Sequence, residues 1–147
     1  MKNQGFTLFV AIVITGTLLL VATGIVSLAV RQALISAFGR ESQYAFYAAD
    51  TGIECTLYWD VKNPAGFSAF STSTGSTISC NGSSFNVGGS PLSTFSFTMA
   101  PESYCVSVTV TKAYVSNVLV TTIESKGYNT CDLSNPRRVE RAIRAKY

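Results

Sequence analysis

Phe6 to Val30 reads FTLFVAIVITGTLLLVATGIVSLAV, twenty-five consecutive residues without an aspartate, glutamate, lysine or arginine. As a helix at 1.5 Å per residue this run covers roughly 38 Å, against a bilayer hydrocarbon core of about 30 Å. It is also longer than the apolar core of a secretory signal peptide, about 7 to 15 residues, so the sequence predicts a retained transmembrane helix over 6–30. Inside it, Gly16 and Gly24 lower helix propensity; they either permit close helix contact or are simply tolerated small residues. Lys2 lies before the run and Arg31 and Arg40 after it, so charge bias does not orient the segment.

What surrounds this run restricts the chemistry. The chain has 147 residues, enough for one domain of ordinary size. It has no histidine, which removes Ser-His-Asp and Cys-His nucleophile pairs, HExxH metalloproteases and histidine-ligated zinc. Charged residues make up 13% and hydrophobic residues 47%, a balance of membrane proteins rather than of disordered chains. The net charge of +3 is too small to argue for nucleic acid by itself. Cys55, Cys80, Cys105 and Cys131 all follow the membrane run, and no CxxC pair suggests zinc. Two disulfides in an oxidising compartment are expected, which puts the region after the membrane outside the cytoplasm. Four cysteines allow three pairings; Cys55 with Cys80 and Cys105 with Cys131 is favoured because each closes a modest loop.

Helical periodicity continues past the membrane, with Leu34, Phe38, Ala45, Ala48, Gly52, Cys55 and Trp59 forming one mixed apolar stripe. Arg40, Glu41, Gln43, Asp50 and Glu54 lie mostly off it. The helix is predicted from near Phe6 to about Asp60, roughly 80 Å, ending before Asn63-Pro64. Residues 63–102 are rich in Ser, Thr, Gly and Asn and read as a surface loop unable to build a core, with a short strand at Phe95–Met99. From Tyr104 to Thr111 the period becomes two, and Val118 to Ser125 reads as its hairpin partner across Tyr114–Asn117. Val139 to Tyr147 is a last strand. The expected fold is therefore α+β, a long N-terminal helix whose second half is covered by an antiparallel sheet of three or four strands.

Near its start the chain reads Lys2-Asn3-Gln4-Gly5-Phe6-Thr7-Leu8, a short polar leader and then Gly-Phe. This resembles the class III leader of type IV pilins and pseudopilins. The resemblance implies that a membrane aspartyl prepilin peptidase cuts after Gly5 and methylates the new terminal Phe6. A glycine lets a protease approach the backbone closely, and a cut there leaves the membrane anchor in place. Gln43-Tyr44-Ala45-Phe46-Tyr47-Ala48-Ala49-Asp50-Thr51-Gly52-Ile53-Glu54 is similar to the Ala-Ala-Glu-Ala-Gly-Ile-Glu type of signature in PilX-type minor pilins and the tip pseudopilin of type II secretion. The resemblance covers about residues 1–59. It departs from the family at Thr51, where a small alanine is usual, and at Val10, fifth from Phe6, where most pilins carry a glutamate that neutralises a neighbour's ammonium inside the filament. An ionised group in hydrocarbon is costly unless paired, so Val10 favours a minor or tip subunit over the major repeating one.

The resemblance thus implies a pilin-like fold divided into a leader (1–5), a transmembrane half-helix (6–30), an amphipathic half-helix (31–62), a loop (63–102) and a sheet (103–147). The expected location is the inner membrane, single-pass, and then an extracytoplasmic filament or the cell surface. Expected partners are other pilin subunits through the helix, the prepilin peptidase, an inner-membrane assembly platform and lipid before assembly. No catalysis and no cofactor are expected. Arg137, Arg138, Arg141 and Arg144 with Lys146 form the one notable basic cluster. It is a candidate for weak, salt-sensitive DNA contact, although a solvated strand edge kept charged against aggregation is the favoured reading. Asn81-Gly82-Ser83 fits a glycosylation acceptor, with a bare loop favoured, and the single carboxylate Asp132 is too little for calcium. A tip adhesin or DNA-binding pilin, or an uncleaved membrane-anchored protein, are the alternatives.

Overall fold

The computed structural model describes residues 4–100 and 103–147. Its elements are α1 (Gln4–Val61), β1 (Gly75–Cys80), β2 (Ser83–Gly88), β3 (Leu92–Met99), β4 (Tyr104–Val115), β5 (Val118–Tyr128) and β6 (Glu140–Lys146). The chain divides into two units, Met1–Gly39 and Arg40–Tyr147, and α1 contributes to both. The architecture is α+β, with a long N-terminal apolar helix as expected. Of the leader, Met1 to Asn3 lie outside the described residues, as do Pro101 and Glu102 at the end of the expected loop; Gln4 and Gly5 belong to α1.

In the first unit every side chain described, from Phe6 on, is exposed, and apolar residues dominate. The helix is long and apolar enough to cross a membrane. Leu34 and Phe38 are 51% and 53% exposed, so the predicted stripe does not bury them. They continue the bare apolar surface of this unit, and the buried stripe starts at Ala45.

In the second unit the sheet order is β3-β4-β5-β6, all antiparallel, with β1-β2 as a separate two-stranded sheet. Inward positions alternate along β4 and β5: Val106, Val108, Val110, Ile123 and Ser125 are fully or almost fully buried. They lie on the face covered by the helix, whose buried residues are Ala45, Ala48, Ala49, Gly52, Ile53 and Thr56. Each buried aliphatic side chain contributes about 1.5–3 kcal/mol, enough to hold this half of α1 on the sheet. Cys55–Cys80 joins α1 to β1, and Cys105–Cys131 joins β4 to the loop after β5, the favoured pairing.

The expectation of a loop over 63–102 is overturned in part: β1 and β2 form within it, while the short strand expected at Phe95–Met99 is present as β3 and starts earlier, at Leu92. Most hydroxyl residues of the segment take the outward positions of strands, Ser93 excepted, which is buried and accepts from the Gly88 N–H (3.0 Å), while Ile78, Cys80, Val87, Phe95 and Phe97 point inward and are buried. Asn81 and Gly82 both have positive φ, 48° and 75°, the geometry of a two-residue hairpin turn whose twist matches the strands. Nor is the segment unable to build a core: Phe70, Phe85, Phe95 and Phe97 pack together, stacked or tilted, with ring centroids 5.3–6.3 Å apart. Composition hid this because a Ser/Thr-rich strand needs only every second residue apolar. The β4–β5 hairpin is also longer than expected, turning only at Ser116-Asn117 (φ 50° and 66°).

Candidate functional site

The segment that carried the family resemblance is where α1 meets the sheet, and its small residues have a steric task. A Cβ built on Gly127 of β5 would lie 2.1 Å from the Ala45 carbonyl oxygen and 2.3 Å from the Ala49 nitrogen. From the helix side, a Cβ on Gly52 would lie 2.3 Å from Ser125 Oγ and 2.5 Å from Val106 Cγ1. Ala45, Ala48, Ala49 and Gly52 therefore form a groove of minimal side chains into which β5 presses its own backbone. Gln43, Phe46, Tyr47 and Glu54 of the same signature are exposed. Thr51 is half-buried and donates its hydroxyl to the Tyr47 carbonyl (2.9 Å).

Polar contacts secure this segment at both ends. At the start, Asn129 Nδ2 donates to Glu41 (2.9 Å), Arg141 Nε donates to Ser42 Oγ (2.8 Å), and the Tyr44 ring stacks on Tyr104 at 4.9 Å. At its end, Asp60 accepts from Lys112 Nζ (2.8 Å), from the Ser68 hydroxyl and from the Tyr147 hydroxyl. Lys112 Nζ also donates to Thr121 Oγ1 (3.1 Å). Only 2% of the Asp60 side chain and 7% of the Lys112 side chain are exposed. Burial pushes the Asp60 carboxyl upward, but hydrogen bonds from Lys112, Ser68 and Tyr147 and the Lys112 charge outweigh it, leaving its pKa below 3.8. The Tyr147 phenol is raised above 10.0, by burial first and then by its bond to the Asp60 carboxylate. Trp59 Nε1 donates to the Ser79 carbonyl (3.0 Å), so the chain's one tryptophan reports on this junction. Neither Gly127 nor the Asp60–Lys112 pair was singled out in the sequence. A glycine inside a β-branched strand was the available signal for the first; nothing in the spacing signals the second.

Among the residues predicted within the membrane helix, Phe6 is 73% exposed, Val30 55% and Val10 37%. Gly16 and Gly24 have open space where a Cβ would stand. Thr15, Thr17 and Thr23 turn their hydroxyls onto carbonyls three or four residues back, at 2.9–3.1 Å. Gly5 lies in α1 just before Phe6.

The basic residues are not gathered into one patch. Arg141 is on the helix-facing side of β6, bonded to Ser42, while Arg144 is on the opposite face, paired with Glu124 at 3.2 Å. Arg138 lies over the Tyr128 ring at 3.7 Å and, with Tyr128, Ser96, Thr98 and Ser107, lines a depression of about 390 Å³ on the outer sheet face. Arg137 is exposed in the loop before β6. The Asn81 amide donates to the Thr98 carbonyl (3.2 Å). Asp132 is exposed, its carboxyl held below the usual range by the Ser134 hydroxyl and N–H. No group of three or more metal-ligating side chains occurs among the described residues.

No family model, curated protein or solved structure matches the chain.

Proposed function

We propose that this chain is a minor pilin or pseudopilin, a structural subunit cut by a prepilin peptidase after Gly5. Its helix first anchors it in the inner membrane and then packs among sister helices in an extracytoplasmic filament. The observation that carries the reading is the division of labour along α1. Residues 6–38 present a bare apolar surface that needs lipid or other helices, whereas Ala45 to Asp60 are clamped on a disulfide-tied sheet. The Gly5-Phe6 junction, at the start of the apolar run, supports processing at that point.

Mass spectrometry of the amino terminus tests it. Full-length chain produced in cells with a prepilin peptidase is expected to lose residues 1–5 and to begin with N-methylated Phe6. Recovery of chains that still begin at Met1, or that begin beyond Val30, overturns the reading.

The minor role rests on Val10. With glutamate there, a neighbouring copy's Phe6 ammonium gains a carboxylate in a medium where an unpaired charge costs a few kcal/mol. Val10→Glu is therefore expected to raise the number of copies per filament several-fold, counted by quantitative immunoblot of sheared filaments. Equal incorporation of both chains removes Val10 as the restriction.

A further inference from the structure

The outer face of the sheet carries a depression built around one arginine. The register sets Ser96 opposite Ser107, Thr98 opposite Cys105 and Cys105 opposite Tyr128, so strand alternation turns three hydroxyls and a phenol to the same side. The segment between β5 and β6 is held against them by its own bonds. Asn129 Oδ1 accepts from the Val139 N–H (2.7 Å), the Asn135 carbonyl accepts from the Arg138 N–H (3.0 Å), and Cys131 is tied to Cys105 of β4. This segment lays the Arg138 guanidinium on the Tyr128 ring, 3.7 Å from its centroid, and turns Nε to the Thr130 carbonyl (3.4 Å). Leu133 of the same segment, 81% exposed, adds an apolar wall. The depression holds about 390 Å³. Small-molecule sites run from about 300 to 1,000 Å³, so it suits a ligand at the small end of that range.

Arg138 has no carboxylate at ion-pair distance among the described residues. The other basic residues of this face differ: Arg144 is held by Glu124, and Lys126 is paired with Glu140 at 3.8 Å. Stacked on one side and bonded at Nε, the guanidinium is a planar fork whose orientation is fixed in advance. A carboxylate matches that fork through two parallel N–H···O bonds.

The surroundings narrow the ligand further. Glu140, opposite Tyr128 in β6, bonds the Tyr128 hydroxyl, so a phosphate dianion would approach a carboxylate with one guanidinium to offset it. A nucleic-acid backbone needs a row of cations, whereas Arg141 is on the other face and Arg144 is paired. A peptide strand finds no edge here, because β4 is bonded to β3 on one side and to β5 on the other. Hydroxyl side chains both donate and accept, which suits a ligand that carries hydroxyls itself, and Leu133 suits the C–H face of a ring. We propose that this depression binds an acidic sugar, a uronic-acid residue whose carboxylate bonds Arg138 and whose hydroxyls bond Ser96, Thr98 and Ser107. The site does not rest on the filament reading above.

Titration calorimetry of the full-length chain in a polyoxyethylene detergent, which contains no sugar, tests it with methyl β-D-glucuronide as the probe. Saturable binding of one molecule per chain is expected. Methyl β-D-glucoside, which lacks the carboxylate, and succinate, which lacks the ring and its hydroxyls, should each bind at least about tenfold more weakly. Arg138→Gln should weaken glucuronide binding about tenfold or more. Arg138→Lys should also weaken it, since an ammonium keeps the charge but not the fork. Ser107→Ala should weaken it severalfold while the unfolding midpoint read from Trp59 stays at the parental value, which separates a lost contact from a lost fold. Arg144→Gln, on the same face, should leave binding unchanged. No saturable binding of the glucuronide overturns the proposal, as does equal binding of the glucoside, succinate or inorganic phosphate. Parental affinity in Arg138→Gln, or an equal loss in Arg144→Gln, overturns it as well.

Discussion

Gly127→Ala is expected to destabilise the folded unit by about 3 kcal/mol or more, lowering its melting temperature by on the order of 10 °C. The added Cβ would stand 2.1 Å from the Ala45 carbonyl oxygen and 2.3 Å from the Ala49 nitrogen. Overpacking usually costs about 1–3 kcal/mol, because neighbouring side chains can rotate away. Here the obstructing atoms are helix backbone, which can yield only by lifting α1 from β5. Gly75→Ala is the control: its new Cβ would meet nothing closer than the Val87 carbonyl oxygen at 3.8 Å. Denaturant titration of the detergent-solubilised chain, followed by Trp59 fluorescence, compares the two. Equal midpoints would mean that the helix does not lie against Gly127.

Lys112→Met should be of similar size, a loss of about 3–5 kcal/mol, because it leaves the Asp60 carboxylate buried without its cation. The Asp60→Asn, Lys112→Met double variant should recover most of that loss, since neither charge is then stranded. A double variant as unstable as the single one would show that the pair contributes through packing alone. The pair also fixes the pH response. Asp60 has a folded pKa below 3.8, so its stabilisation is fully present above the unfolded carboxylate range and is lost as pH falls through the depressed folded value. Tyr147 acts in the opposite sense. Its folded pKa is raised above 10.0, so its contribution is complete below pH 10.0 and is lost as pH climbs through the raised value. Asp60→Asn should flatten the acid limb of the Trp59 titration, and Tyr147→Phe the alkaline limb.

Much of the fold was legible because the strongest signals are periodic and local. The uncharged run over 6–30, the 3.6-residue recurrence from Ala45 to Trp59 and the alternation from Tyr104 to Thr111 each predict an element that the structure contains. The cysteine spacing pointed to the pairs that form. Residues 63–102 misled because serine and threonine are as much at home on the wet face of a strand as in a loop. The Asn81-Gly82 turn was the better guide. Leu34 and Phe38 misled in the other direction: their spacing fits a buried stripe, but period alone does not say where packing begins. The buried ion pair was invisible because Asp60 and Lys112 are brought together only by the register of helix on sheet. The arginines near the end look like one patch in sequence, yet alternation along β6 puts Arg141 and Arg144 on opposite faces.

The back-bonded hydroxyls of Thr15, Thr17 and Thr23 have a wider effect. Each satisfies its polar atom within its own helix, so none is left to mark one rotation or one axial step as better than the next. In the filament proposed above, a shaft so lubricated would slide or roll against its neighbours at little cost. Choosing who stands beside whom, and at what height, would then fall to residues 40–147.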